Sequence, residues 1–132
     1  MTLRRWQQAA LLATYATAIT VLSVLPSSSL PSVTLWDKAQ HFIAYFLFMV
    51  FAYPLANTAL TRFLGAVTVL AYSGLIEYLQ RLTPNRVPSI EDFIANALGV
   101  ICAFILMSCV SLLLAARRER RAAKRAVKRG AR

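Results

Sequence analysis

Long apolar segments separated by short polar connections dominate the chain. Residues 7–25, 42–56 and 63–76 carry no charged side chain, as expected of segments that sit in lipid. The first apolar run, 9–25, follows Arg4, Arg5 and Trp6. With its flanks it can cross a hydrocarbon core of about 30 Å, which needs about 20 helical residues. A basic start before an apolar run also describes a cleaved signal peptide. This run, however, exceeds the usual ~7–15-residue apolar region and no A-x-A site follows it, so a retained first helix is expected. The stretch from Pro26 to Pro31, with three serines inside it, cannot continue a helix and reads as a loop.

Thr34 then fits a helix N-cap with Asp37 three residues on, a spacing that brings an acid to the free backbone N–H groups of a first turn. The second helix is expected over about 35–56, with Trp36 as an interfacial anchor and Pro54 near the far end, where a kink or stop costs little. Residues 57–62 read as the turn into a third helix, which runs to about Leu82 and is stopped by Pro84. Ser89 is a second candidate N-cap, again with an acid, Asp92, at the third position, and the fourth helix is expected over about 90–116. The fold class is therefore an all-α integral membrane protein, with four transmembrane helices arranged as two hairpins. The domain organisation is a transmembrane domain over 1–116 and a basic tail over 117–132.

Charge decides the orientation. The chain has 15 Lys and Arg against 5 Asp and Glu, and only 15% of its 132 residues are charged, where a soluble domain carries about 25%. With the N-terminus in the cytoplasm, Arg4, Arg5, Arg62 and the nine basic residues of the tail lie inside, twelve in all, leaving Lys38, Arg81 and Arg86 outside. The positive-inside rule thus places both termini in the cytoplasm and the 26–31 and 83–88 connections on the outer side. The tail reads as a topology determinant and solvated helix end, and contact with anionic membrane lipids is its functional alternative. Nucleic-acid binding is not expected, because the tail has no aromatic residue and adjoins a span. Cys102 and Cys109, seven residues apart in one helix, are too distant to be bridged to each other and read as small apolar fillers. No CxxC, Gly-rich phosphate loop, GxSxG or HExxH occurs, so the signatures of soluble enzymes are absent.

Against this apolar background two polar clusters stand out. Asp37, His41 and Tyr45, spaced i, i+4, i+8, share one face of helix 2 beside Lys38; Ser73, Glu77 and Gln80 share a face of helix 3. On helix 4, Asp92 and Asn96 lie in line with Gly99 and Ala103, and Ala95, Gly99 and Ala103 form a series of small residues that permits close helix contact. All these stripes begin at the outer surface and reach only about 10–15 Å inward. The eight-residue patterns from Thr34 to His41 and from Ser89 to Asn96 also echo each other as [ST]-[LI]-x-D-x-x-x-[HN], which either a duplicated hairpin or convergence on one capping chemistry produces.

Caps and ion pairs are the plain account of these residues, and a lone His41 is most often structural. Yet one His, three carboxylates, two amides and a Tyr in one leaflet of so small a protein exceed what stapling requires. The candidate catalytic residues are accordingly His41, Glu77, Asp37 and Asp92. Lys38, Tyr45, Gln80, Arg86 and Asn96 are candidate contacts to a bound group. A His beside carboxylates can serve as general base, and Arg with Lys can hold an anionic headgroup. His and carboxylates are competent metal ligands, but one His with acids spread along the chain makes no metal motif, and the sequence assigns no metal and no cofactor.

These residues also carry a resemblance. D-K-x-x-H-F-x-x-Y at Asp37–Tyr45, E-x-x-Q at Glu77–Gln80, Arg86, and D-x-x-x-N-x-x-G at Asp92–Gly99 together resemble the VanZ-like family of small bacterial membrane proteins. The resemblance implies a multi-pass protein of the bacterial plasma membrane. It also implies a link to the cell envelope, since the founding member is associated with low-level resistance to the glycopeptide teicoplanin. It supplies no mechanism. The reading that follows is binding of an anionic envelope component, such as a lipid-linked phosphate or peptidoglycan precursor. A membrane-embedded hydrolase or transferase and a non-enzymatic partner subunit are the alternatives.

Overall fold

The computed structural model describes residues 4–25, 37–83 and 89–130. Every regular element in them is helical: α1 (Arg5–Val24), α2 (Asp37–Ala52) followed by a 3-10 turn (Tyr53–Leu55), α3 (Ala59–Gln80) and α4 (Ile90–Gly130). The expected 26–31 loop, the Thr34 cap, Trp36, Pro84 and Arg86 lie outside the described residues.

The helix ends follow local chemistry. α2 stops four residues short of expectation, at Ala52, and tightens into the 3-10 turn that contains Pro54, because proline has no N–H and its ring clashes with the carbonyl four residues back. α3 starts earlier than expected, since Thr58 caps it through a reciprocal pair of bonds with Thr61. It ends at Gln80, with Leu82 and Thr83 bonding back to the carbonyls of Leu79 and Gln80 in a tight final turn. Ser89 caps α4 as its position predicts, its hydroxyl accepting from the Glu91 N–H at 3.2 Å. The larger difference is the far end of α4. It continues past the expected end near residue 116 to Gly130, for 41 residues in all. Apart from Val127, the basic stretch is made of Arg, Lys, Ala and Glu, among the strongest helix formers, with neither Gly nor Pro before Gly130.

α2 and α4 pack as a parallel pair. Their contacts step in register from Lys38–Asp92 through His41–Asn96 to Tyr53–Ser108, so both acidic N-termini lie at the same end. Gly99 permits this approach: a Cβ there would collide with the backbone of Phe42 and Phe46. α1 runs alongside α3, with Tyr72 Oη donating to the Ala16 carbonyl, Gln80 Nε2 to Ser23 and Thr83 Oγ1 to Val24. Tyr15 crosses to the Ala44 carbonyl of α2 at 2.9 Å and sets its ring edge-on to Phe48. The core at these crossings comprises Ile19, Tyr45, Phe48, Met49, Tyr53, Val69, Val100 and Ala103.

The exterior is apolar. Leu60, Phe63 and Leu75 on α3 and Leu112 on α4 are more than half exposed, a surface suited to hydrocarbon and a liability in water. Among the described residues, three helices are long and apolar enough to cross a membrane: Arg5–Val24, Ala59–Gln80 and the Ile90–Lys128 portion of α4. Cys102 and Cys109 stand on this outer surface; the face of α4 that meets α2 is the one bearing Asn96, Gly99, Val100 and Ala103.

Candidate functional site

The parallel register of α2 and α4 assembles at one end of the molecule residues separated by about fifty positions in sequence. Lys38 projects from the first turn of α2 to the first turn of α4, its Nζ 2.5 Å from Asp92 Oδ1 and 3.3 Å from Glu91 Oε2. It also reaches Ser89 Oγ at 3.4 Å. One turn further along α2, His41 sits between the two polar residues of α4. Its Nδ1 is 3.2 Å from Asn96 Oδ1 and its Nε2 3.7 Å from Asp92 Oδ2. Asp92 thus presents one carboxylate oxygen to the lysine and the other to the histidine.

A relay through the core orients the imidazole. Asn96 is almost fully buried and donates its Nδ2 to Ser73 Oγ on α3 at 2.8 Å, which leaves Oδ1 to accept. The partner that accepting oxygen selects is the Nδ1–H tautomer of His41, because the neutral ring carries its proton on one nitrogen only. The lone pair then lies on Nε2, facing Asp92. A nitrogen lone pair and a carboxylate oxygen repel unless positive charge lies between them, as a proton or as a cation.

Glu77 closes the cluster from α3. It is buried, and its Oε2 accepts from the Ser89 backbone N–H at 3.4 Å. Its Oε1 has no hydrogen-bond partner among the described residues, and neither does the hydroxyl of Tyr45 in the core below. His41, Asp92 and Lys38 are all within electrostatic reach of Glu77. Buried polar atoms without partners are uncommon enough to need a reason. Asp37, the first residue of α2, is exposed and adds a carboxylate at the mouth, one of its oxygens lying within 4.8 Å of ligand atoms of both His41 and Asp92.

Of the residues singled out from sequence, the fold brings together Asp37, Lys38, His41, Glu77, Asp92 and Asn96. Tyr45 lies deeper in the core. Gln80 donates instead to the Ser23 carbonyl of α1, and no bond joins it to the acids among the described residues. Arg86 lies outside the described residues, and Arg81, on the same connection, stacks its guanidinium on Tyr78 at 5.8 Å. Two members were missed as site residues. Ser73 shares the Glu77 face of α3 and could have been included for that; Glu91 has no sequence signal, since its role arises only because Lys38 crosses from the other helix. Four carboxylates, Asp37, Glu77, Glu91 and Asp92, therefore surround one described cation, Lys38.

Neither a curated protein nor a solved structure shows significant similarity to the chain. A family model does match, over residues 3–114, which takes in α1, α2, α3, α4 as far as Leu114 and every residue of the cluster. The chain belongs to the VanZ/LLP1 family.

Proposed function

We propose that the protein is a four-span plasma-membrane protein with both termini cytoplasmic, whose cluster opens to the outer leaflet and binds the phosphate-bearing headgroup of an envelope lipid. α2 has 16 residues and rises about 24 Å, to which the 3-10 turn adds about 6 Å; together these match a core of about 30 Å. α4, at 41 residues, rises about 61 Å, twice that thickness, so its basic end stands in the cytoplasm beside anionic headgroups. Twelve basic residues against three orient the bundle.

The observation that carries the ligand reading is the Lys38–Asp92–His41–Asn96 chain, with Glu77 Oε1 left unpartnered beside it. Lys38 and Arg86 supply anion contacts, and the acids orient them or act on the bound group. The test is lipid co-purification. Phosphate-bearing lipid retained by the wild type is expected to fall in Lys38→Ala and Arg86→Ala; retention unchanged in both removes the reading. A teicoplanin susceptibility shift that depends on the same residues would tie the site to glycopeptide resistance.

A second reading has its own observation. Because Asn96 holds the His41 proton on Nδ1, Nε2 is the free base, with Asp92 beside it to stabilise the imidazolium. That is the arrangement of a general base or nucleophile in a membrane-embedded hydrolase or transferase. Turnover of lipid phosphates that disappears in His41→Ala supports it. Turnover surviving both His41→Ala and Glu77→Ala places the chemistry elsewhere. Specific co-purification with a larger envelope protein would instead indicate a partner subunit.

A further inference from the structure

We infer that Asp37, His41 and Asp92 form a site for one divalent transition-metal ion, of the Mn2+ or Zn2+ kind. One ligand atom from each of the three lies within 4.8 Å of the others. Two ligands on one such ion stand about 3.0–3.6 Å apart at tetrahedral or octahedral angles, from bond lengths of about 2.1 Å. A shift of roughly an ångström, within rotamer adjustment of the exposed Asp37, closes the set. One imidazole with two carboxylates favours a borderline ion over Mg2+ or Ca2+, which prefer all-oxygen shells.

Three features of the surroundings point the same way. The Ser73–Asn96–His41 relay is the outer shell that a metal-binding imidazole uses: Nδ1–H is held by a buried amide oxygen, and the lone pair of Nε2 is turned toward the carboxylates. Glu77, 8% exposed, holds Oε1 buried without a partner among the described residues, under the field of His41 and Asp92. That oxygen suits a water on the ion. Finally, the four carboxylates exceed the one described cation, and a divalent ion between Asp92 Oδ2 and His41 Nε2 is one way to supply the positive charge that this contact calls for. Lys38 is then the competitor: its ammonium already occupies Asp92 Oδ1, so the ion takes Oδ2.

The metal site stands on the described residues alone and goes beyond the phosphate reading. If both hold, the ion provides the positive centre to which an acidic cluster can bring a phosphate, with its open positions on the exposed Asp37 side.

The test uses the full chain purified in detergent, stripped by chelator and titrated with Mn2+ by electron paramagnetic resonance and with Co2+ by visible absorption. One ion per chain is expected, with nitrogen coupling from the imidazole. Asp37→Asn, which keeps the size and first-turn hydrogen-bonding oxygen of the exposed Asp37, and His41→Ala should each weaken binding at least about ten-fold, and Asn96→Ala about ten-fold through loss of orientation. Lys38→Met should tighten it. Absence of stoichiometric binding, an affinity unmoved by both Asp37→Asn and His41→Ala, or a bound ion without nitrogen coupling overturns the inference. Lipid retention measured in chelator separates the two ideas. Retention that still depends on Lys38 and Arg86 while no ion binds leaves the phosphate reading alone standing, and ion binding without retained lipid does the reverse.

Discussion

The two ends of the α2–α4 pair use polar groups differently. At the far end, Tyr53 joins the helices through Ser108 and Ser111 at 3.1 and 3.4 Å, Arg62 stacks on the Tyr53 ring at 4.6 Å, and Arg5 donates to the Asn57 side chain at 2.6 Å. No carboxylate takes part there among the described residues. Neutral hydroxyls, one stacked guanidinium and one guanidinium–amide hydrogen bond hold that end. At the near end the same two helices are joined by Lys38 and His41 to Glu91 and Asp92, with Asp37 and the α3 residue Glu77 beside them and a buried Glu77 oxygen unpartnered. Placing ionised groups at membrane depth costs several kcal/mol unless partners or water compensate. The far end shows that parallel helices of this chain can be joined without that cost; the ligand and metal readings proposed above are what would account for the acids of the near end.

The sharpest way to break the comparison is to ask which end faces out. A cysteine introduced at Ser28 or Asn85 should react with an impermeant thiol reagent in intact cells, and one at Thr58 or Ala131 should not. Labelling at position 58 alone would put the near end in the cytoplasm and remove the envelope ligand. Next in size is Gly99→Ala, between the two ends. The added methyl meets the backbone of Phe42 and Phe46, for which about 1–3 kcal/mol of destabilisation is expected, read by denaturant unfolding in detergent. Retained stability would mean that α2 and α4 part more easily than their packing implies.

The smallest effect separates the ends themselves. Tyr53→Phe should cost about 0.5–1.5 kcal/mol, the worth of an ordinary hydrogen bond, and leave ligand and metal binding intact. A loss of binding in Tyr53→Phe would show the two ends to be coupled, and the contrast drawn between them would fail.

The local part of this structure was legible because its causes are local. Ser89 caps α4 as its spacing to Asp92 suggests, Pro54 ends α2, and the His41, Asn96 and Glu77 faces follow helical period. One error has a physical cause too: Gln80 lies on the same face as Glu77 yet meets α1, because periodicity assigns a residue to a face without saying what that face meets. The length of α4 was misjudged for a different reason: the loss of hydropathy near residue 116 ends a span, whereas a helix continues for as long as Arg, Lys and Ala satisfy its backbone.

By itself the sequence determined that the chain is apolar and helical, where its polar clusters begin and to which family it belongs, since composition, capping and motif order are properties of neighbours along the chain. Only the tertiary structure decided that Asp92 stands between Lys38 and His41, that Asn96 and Ser73 orient the imidazole, and that Glu91 joins the cluster. Those pairings depend on the parallel register of α2 and α4, which the close approach at Gly99 permits. Helical period carries no record of a partner about fifty residues away.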